Sequence, residues 1–274
     1  MKLAILMTAF NGSNYIGEQI ESLQAQTFSE WNLYIHDDCS TDDTKSIILS
    51  YADNDERIHL VSEGVKRGAR DGFMWLLEKV DADYYMFSDH DDVWLQDKIK
   101  RSFDTMMAHP DVESLPLVVC TDLCVVDADL KIITPSLWKK QHVTQKSLNS
   151  KYLHLFYDNV TGCTMMLNRK AREVSLPCHE CAIMHDAWIA EAVLWRGGKV
   201  VGIEEPLMLY RQHSDNVVGV PKMPSLTKQL SERKRLQEKT LRQYSVAREF
   251  VKMPRWLFSA IKVYYSMIIR ITRA

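Results

Sequence analysis

The 274-residue sequence lacks any apolar run that approaches the roughly 18 residues needed to cross a bilayer. We also expect no export signal, because the apolar segment at Met1–Phe10 is short and is followed by Asn11-Gly12 instead of a small-residue cleavage site. A buried first strand explains that segment better. We therefore expect a cytoplasmic protein whose six cysteines stay reduced.

Two glycine-rich nucleotide motifs are also missing. The sequence has no Gly-x-x-x-x-Gly-Lys-Ser/Thr phosphate loop and no Gly-x-Gly-x-x-Gly dinucleotide fingerprint, so a bound nucleotide must be held in another way. The formal net charge of −2 argues against nucleic acid as the main partner. The pair Cys178-x-x-Cys181 stands without a second pair and is weak evidence for zinc.

Segments typical of strands and helices alternate along the first half of the chain. Strands are predicted at Lys2–Met7, Trp31–His36, Ile58–Val61 and Tyr84–Ser88, with helices starting near Ser13, Ile47 and Gly68. This order predicts an α/β fold with a mostly parallel sheet, right-handed crossovers and flanking helices. The second half is less regular. Strands are predicted there at Leu117–Val126, Thr161–Leu167 and Lys199–Ile203, an extended piece at Pro206–Tyr210 and a helix at Ala187–Trp195.

The most informative segment is Ser88–Trp94, which places three carboxylates within four residues directly after a predicted strand. Carboxylates this close repel one another, so a cation is needed to hold them together. Oxygen ligands suit Mg²⁺ or Mn²⁺. The alternative is a solvated acidic turn, and Asp92 is expected to cap a helix that begins at Val93.

Two other polar segments follow predicted strands. These are Thr8–Asn11 after the first strand and Asp37-Asp38 after the second. In an open parallel sheet, segments at the carboxyl ends of strands meet at one edge, where ligands bind. A carboxylate at this edge can accept the N–H of a pyrimidine ring, which would explain an unpaired aspartate.

Taken together, these segments resemble the inverting family 2 glycosyltransferases of the GT-A fold, over roughly residues 1–220. The longer matches resemble the rhamnosyltransferase-like branch, whose members build bacterial surface polysaccharides. They are Phe87–Trp94, His185–Trp188 and Tyr210–Gly219. The sequence departs from that pattern at His90, where Gln is usual, and at Ala187, where a second aromatic residue is usual.

The resemblance implies a role for each matching position. Thr8, Phe10 and Asn11 would line the pocket for the base and ribose, and Asp38 would bind the uracil or thymine ring. Arg67 would meet the base or a phosphate. Asp89 and Asp91 would form the Asp-x-Asp that contacts ribose and metal, and His213 would ligate the metal or donate to the diphosphate. Arg211 could bind phosphate through its guanidinium group.

Asp186 would be the catalytic base. Inverting transfer requires one carboxylate that takes the proton from the acceptor hydroxyl as that hydroxyl attacks the anomeric carbon. Because Asp186 stands at the start of a predicted helix, helix capping is the alternative explanation.

The composition changes near the C-terminal end, and we predict a transferase domain at 1–221 and a basic amphipathic helical region at 222–274. The latter holds about thirteen Lys and Arg against about three Glu, so residues 1–221 are strongly acidic. One apolar, aromatic helix face is predicted, consisting of Trp256, Leu257, Phe258, Ile261, Tyr264, Tyr265, Ile268 and Ile269. Such a helix suits an anionic membrane surface. The alternative is packing on the parent domain or on a second subunit in a homo-oligomer.

The predicted reaction is metal-dependent transfer of a sugar from a nucleotide-diphosphate donor to a hydroxyl of a glycan or lipid-linked oligosaccharide. The best guess for the donor is dTDP-L-rhamnose, and a UDP-hexose such as UDP-glucose or UDP-galactose is the alternative. A nucleotidyltransferase would need a glycine-rich, basic loop after the first strand, which Ala9–Gly12 does not supply. A non-catalytic sugar-nucleotide-binding protein would tolerate loss of Asp186.

Overall fold

The computed structural model describes residues 2–157, 159–213 and 226–272, and in the last range it describes the side chains of 235–266. The predicted domain boundary at 221–222, the motif residues 214–219 and the side chains of 268 and 269 lie outside the described part. Nine strands and eleven helices are described, together with a 3-10 turn at Gly162–Thr164.

The strands are β1 Leu3–Ala9, β2 Trp31–Asp37, β3 Ile58–Leu60, β4 Tyr84–Asp89, β5 Val93–Trp94, β6 Leu117–Val126, β7 Ile132–Thr134, β8 Met165–Asn168 and β9 Lys199–Arg211. The helices are α1 Ile16–Gln24, α2 Thr44–Ala52, α3 Gly68–Lys79, α4 Lys98–Ala108, α5 Leu137–Gln141, α6 Gln145–Leu148, α7 Lys151–His154, α8 Arg169–Ser175, α9 His185–Trp195, α10 Leu226–Phe250 and α11 Arg255–Thr272.

The strands form one mixed sheet in the order β3-β2-β1-β4-β8-β6-β9-β5, with β7 paired to β6. The predicted parallel half is confirmed, because β1 pairs in parallel with both β2 and β4. In this register Thr8 lies opposite both His36 and Asp89, so the carboxyl ends of three strands meet at one edge. Beyond β4 the sheet becomes mixed, since β8 runs antiparallel to β4 and β6.

Two apolar layers cover the two faces of the sheet. Along β1, Leu3, Ile5 and Met7 face one layer with α1, α2 and α4, whereas Ala4 and Leu6 face the other with α3, α8 and α9. This alternation follows from the two-residue period of a strand. Because both faces are covered, every residue of β1 is buried, as is usual for a strand inside a parallel sheet.

Three local predictions are wrong. Val93 does not begin a helix, because Val93–Trp94 pairs with β9 as a short strand and α4 begins only at Lys98. The predicted strand at Thr161–Leu167 starts as a 3-10 turn and becomes extended only at Met165. The separate segments 199–203 and 206–210 are one strand, β9, whose register against β6 shifts next to Asp122.

The C-terminal helices pack on the rest of the molecule near α9. Phe250 of α10 stacks on Trp195 with ring centroids 5.7 Å apart and lies 5.9 Å from Trp188. In α11, Phe258 is fully buried, with its ring centroid 4.8 Å from that of Phe156. Residues of the predicted basic region therefore contribute to the core. No helix in the described ranges is both long and apolar enough to span a membrane.

Candidate active site at the carboxyl edge of the sheet

The segment after β1 is tied to the loop after β2. The backbone N–H of Asn11 donates to Ser40 Oγ at 2.9 Å, and Asn11 Oδ1 accepts the N–H of Thr41 at 2.9 Å. These contacts hold Asn11 at a φ of 49°, a left-handed conformation that asparagine tolerates. The Phe10 ring is left 40% exposed at the edge of the sheet, with Lys66 Nζ 3.8 Å from its centroid. Phe10 is thus a partly exposed aromatic ring at this edge, in contact with Lys66.

Thr8 and Asp38 lie deeper at the same edge, against α3. Thr8 is buried, and a Cβ at Gly72 would come within 2.9 Å of its methyl group, so the strand and helix touch there. The Asp38 carboxylate accepts the backbone N–H groups of Arg67 and Gly68 at the start of α3. The expectation of an unpaired aspartate is therefore wrong. A carboxylate has about four acceptor sites, however, so Asp38 keeps capacity for a ligand N–H.

The Arg67 side chain is engaged elsewhere. Its guanidinium forms an ion pair with Glu63 at 2.9 Å and lies 4.6 Å from the Trp75 ring centroid. The part of Arg67 that contacts the predicted donor pocket is therefore its backbone N–H, which donates to the Asp38 carboxylate. The sequence analysis suggested that Arg67 meets the base or a phosphate, whereas its guanidinium is already paired with Glu63.

The acidic segment at the end of β4 is crowded with charge. Burial, together with the nearby charges of Asp91 and Asp186, raises the pKa of Asp89 to about 7. Burial and the charges of Asp89 and Asp91 also raise the pKa of Asp92 well above its usual value. His213 Nε2 lies 2.8 Å from Asp91 Oδ2 and stacks on Tyr15. The structure therefore brings together Asp89, Asp91, His213 and Asp186, which come from three separate segments of the chain.

The residues at this edge fit a divalent cation. A dication would relieve the repulsion that raises the Asp89 pKa, and carboxylate oxygens with an imidazole nitrogen suit Mg²⁺ or Mn²⁺. Asp89, Asp92 and Cys163 also place ligand atoms within 4.8 Å of one another. Burial raises the pKa of the Cys163 thiol well above its usual range, so it stays protonated and is a poor ligand for these hard ions.

Lys98 is a feature of the site that the sequence analysis missed. Its ammonium group is fully buried, donates to the carbonyl of Cys163 and lies 3.5 Å from the Trp94 ring centroid. Burial lowers the pKa of Lys98 to about 7, against the opposing charges of Asp92 and Asp89. The sequence held one signal that Lys98 is buried. It lies four residues before Ser102 and eight before Met106, on the face of α4 that both of these residues bury.

Arg211 has a structural part in the site. Its Nε donates to the Asp91 carbonyl at 2.9 Å, its Nη1 donates to the Ala128 carbonyl at 2.6 Å, and its Nη2 pairs with Glu18. With 3% of its surface exposed, Arg211 holds the acidic segment in place. The suggested phosphate contact does not agree with a guanidinium group whose donors are already used in this way.

Asp186 is the second residue of α9 and is 9% exposed. Its Oδ2 accepts the N–H of Gly162 at 2.9 Å, and its Oδ1 accepts the N–H of Ala187 at 2.8 Å. The turn that holds this carboxylate continues into Cys163, whose carbonyl binds Lys98. The Cys163 Sγ lies within 4.8 Å of carboxylate oxygens of Asp89 and Asp92, so this short turn connects Asp186 to the acidic segment.

His185 fixes the start of α9 beside that turn. Its ring lies between Phe73 and Phe87, at centroid distances of 4.3 and 4.9 Å. Burial lowers the pKa of His185, so the ring is neutral near pH 7. Gly162 leaves room for it, because a Cβ there would lie 2.4 Å from His185 Nε2.

The sequence is similar to those of several bacterial glycosyltransferases. RfbG of Shigella flexneri, named as a dTDP-rhamnosyl transferase, is 27% identical over 225 residues, which cover 78% of this chain and 73% of RfbG. TuaG of Bacillus subtilis (strain 168), named as a teichuronic acid biosynthesis glycosyltransferase, is 34% identical over 105 residues. WfgD of Escherichia coli, a UDP-Glc:alpha-D-GlcNAc-diphosphoundecaprenol beta-1,3-glucosyltransferase, is 29% identical over 105 residues. Each of these two matches covers 38% of this chain, and they span 42% of TuaG and 41% of WfgD.

Solved structures share the fold at low identity. The mannosyltransferase PcManGT from Pyrobaculum calidifontis, in complex with GDP-Man and Mn²⁺, has a TM-score of 0.62 at 15% identity and covers 95% of this chain and 68% of its own. S. aureus TarS 1-349 in complex with UDP-GlcNAc has a TM-score of 0.61 at 16% identity, and the match covers 88% of this chain and 66% of the TarS chain. The family profile "Glycosyl transferase family 2" matches residues 4–176, more than half of the chain. The chain therefore belongs to glycosyl transferase family 2, on a GT-A-type α/β fold.

Proposed function

We propose that this protein transfers a sugar, with inversion, from a nucleotide-diphosphate donor to a hydroxyl group of a glycan in bacterial surface polysaccharide biosynthesis. The observation that carries the proposal is the position of Asp186. Its carboxylate is fixed by Gly162 and Ala187 close enough to Asp89 to raise the pKa of that group. A single inverting displacement needs one general base close to the reacting sugar, and Asp186 stands beside the acidic segment in that way.

In the proposed reaction the acceptor oxygen attacks the anomeric carbon, the new C–O bond forms, and the bond to the diphosphate oxygen breaks. Asp186 takes the proton that the acceptor hydroxyl loses, and the nucleoside diphosphate leaves. The N–H groups of Gly162 and Ala187 orient the carboxylate before the proton arrives. Phe10 and Asp38 would hold the donor base, the first by stacking and the second by accepting a ring N–H.

Asp89, Asp91 and His213 would hold a Mg²⁺ or Mn²⁺ ion, which when bound supplies charge neutralisation for the departing diphosphate. The mutual repulsion at Asp89 and the 2.8 Å contact between Asp91 and His213 support this set. Arg211 keeps the segment in position by binding the Asp91 carbonyl. Thr8 and Asn11 would complete the donor side of the site, since Thr8 lies near the carboxyl end of β1 and Asn11 follows that strand.

For the donor, dTDP-L-rhamnose is the preferred candidate. The support is the match to RfbG, which spans most of both chains. A UDP-hexose is the second candidate, supported by the match to WfgD, whose name specifies UDP-Glc. That name also specifies a diphosphoundecaprenol-linked acceptor, so we propose a lipid-linked oligosaccharide as acceptor and the cytoplasmic face of the membrane as the place of transfer.

The variant Asp186→Asn tests the base. It keeps the shape of the side chain but cannot take the proton, so we expect transfer to fall by about 10²–10⁴-fold, the usual contribution of general base catalysis. The donor dissociation constant should change less than twofold. Both are measured with purified protein, by product formation from radiolabelled donor and by calorimetric titration of the donor.

Asp43→Asn is the matched control, because Asp43 stands exposed at the start of α2 and its side chain caps nothing. It should transfer sugar at the wild-type rate. Normal turnover by Asp186→Asn would remove Asp186 from the mechanism and leave the family assignment untouched.

A further inference from the structure

Helix α11 has apolar residues on two opposite faces. Its inner face packs on the molecule, with Phe258 fully buried and Tyr265 stacked on Phe156 at 5.7 Å. The single apolar face predicted from sequence is therefore wrong. Trp256 and Tyr264 are exposed to 71% and 61%, away from the buried residues.

The outer face forms a continuous apolar stripe. Trp256, Ala260, Val263 and Tyr264 are all exposed. Ala260 lies four residues after Trp256, and Val263 and Tyr264 lie three and four residues after Ala260, which places all four on one side of the helix. The Val263 side chain on this stripe is 53% exposed. A helix that is apolar on both sides needs a partner on its second face. Trp and Tyr are the residues enriched where protein meets the membrane–water boundary.

Exposed cations border this stripe. Arg248, Lys252 and Arg255 are exposed around the turn between α10 and α11, and within the described ranges they form no ion pair. The acidic neighbour Glu249 pairs with Arg196 at 3.5 Å and so does not neutralise them. Arg248 and Lys252 also line a cavity of about 440 Å³ at this turn. Tyr244 closes the turn by donating its hydroxyl to the Met253 carbonyl.

We propose that the outer face of α11 lies on an anionic lipid bilayer. Trp256, Val263 and Tyr264 would enter the boundary between headgroups and acyl chains, while Arg248 and Lys252 take a lipid phosphate in the cavity at the turn. The charge favours lipid over a second copy of the chain. A two-fold interface would bring the same three cations of two copies together, whereas an anionic surface offsets them.

This inference extends the proposed function, because it brings the protein to the surface that would carry a lipid-linked acceptor. Its test needs neither donor nor acceptor. A chain that binds vesicles without transferring sugar would overturn the proposed function alone, and a chain that transfers sugar without binding vesicles would overturn this inference alone.

The experiment is co-sedimentation of the full chain with phosphatidylcholine vesicles that do or do not contain phosphatidylglycerol. We expect binding only to the anionic vesicles, and weaker binding at higher salt. Neutralising the patch with Arg248→Gln, Lys252→Gln and Arg255→Gln together should weaken binding on the order of 100-fold, because each of the three cations contributes about fivefold. The double variant Trp256→Ser/Tyr264→Ser should lose binding as well.

Ile132→Ser is the matched control, since Ile132 is 65% exposed on β7, away from the C-terminal helices. It should bind like the wild type, and circular dichroism would verify that every variant is folded. Failure of the wild type to bind anionic vesicles would overturn the proposal. So would a dimer in analytical ultracentrifugation that Trp256→Ser/Tyr264→Ser dissociates, because the stripe would then belong to a second copy.

Discussion

At the scale of single residues, the position of the proposed base depends on a glycine that carries no chemistry. Gly162 donates its N–H to Asp186 and faces the His185 ring. His185 cannot move aside cheaply, because Phe73 and Phe87 enclose it. A close-packed interior transmits even a small increase in volume to its neighbours. The backbone at Gly162 therefore sets where the Asp186 carboxylate lies.

The variant Gly162→Ala tests this dependence. The new Cβ would lie 2.4 Å from His185 Nε2 and 3.5 Å from the Asp186 Cβ, so the start of α9 must shift. We expect kcat to fall by about 100-fold, the loss that a displacement of about 1 Å can cause, with donor affinity nearly unchanged. Steady-state kinetics and donor titration measure the two quantities.

Gly12→Ala provides the contrasting variant. A Cβ at Gly12 would come 2.1 Å from the His90 ring, at the donor side of the site. Its effect should appear as weaker donor binding instead. If Gly162→Ala also weakened donor binding, and kcat stayed normal, the turn at Gly162 would belong to the donor pocket.

At the scale of elements, the loop that leads into α9 is held from two sides. Arg70 of α3 donates to the Ala182 carbonyl at 2.6 Å, and Arg242 of α10 donates to the same carbonyl at 2.6 Å. Arg242 also reaches the Cys181 carbonyl at 3.2 Å. Through these contacts α10 positions the segment immediately before Asp186, so the C-terminal region supports the proposed site.

Arg242→Met should therefore lower kcat by about 10- to 100-fold through misplacement of the base, while the donor dissociation constant stays near the wild-type value. Arg242→Lys should recover part of the rate, because an ammonium group can still donate to one carbonyl. Hydrogen exchange of residues 178–184 should become faster in Arg242→Met. Arg235→Met, at an exposed position on the same helix, is the control. Normal exchange and a normal rate in Arg242→Met would show that α10 only covers the domain.

The elements that the sequence predicted well are those that local physics determines. β1 and β4 are continuous apolar runs, β2 alternates apolar and polar residues, and all three end in polar segments. Their parallel pairing follows from the helices between them. β5 could not be predicted, because two residues form a strand there only through pairing with β9, more than a hundred positions later. The same holds for Lys98, whose burial depends on a carbonyl at Cys163.

At the scale of the whole molecule, the candidate site is assembled from distant parts of the chain. Asp38 follows β2, Asp89 ends β4 on the other side of β1, and Asp186 enters from α9 beyond the antiparallel part of the sheet. Such an assembly exists only when the entire fold is in place. A donor that binds it must therefore stabilise the whole molecule against unfolding.

Thermal unfolding with a panel of nucleotide sugars measures that stabilisation and selects the donor. At a concentration 100 times its dissociation constant, a ligand adds about 2.7 kcal/mol, which for a chain of this size raises the melting temperature by roughly 5–10 °C. We expect this shift with dTDP-L-rhamnose and Mn²⁺, and a larger shift with UDP-glucose or UDP-galactose would select the second donor class. EDTA should remove most of the shift, because the diphosphate would lose its counter-ion beside Asp89 and Asp91.

Two variants separate the ion from the fold in this measurement. Asp91→Asn should lose the Mn²⁺-dependent part of the shift, since it removes a carboxylate charge from the proposed metal set. Asp104→Asn, which removes an exposed carboxylate on α4, should keep that part of the shift. An equal shift with and without EDTA in the wild type would contradict a metal at this edge. The positive charge facing the diphosphate would then have to come from a side chain of the protein.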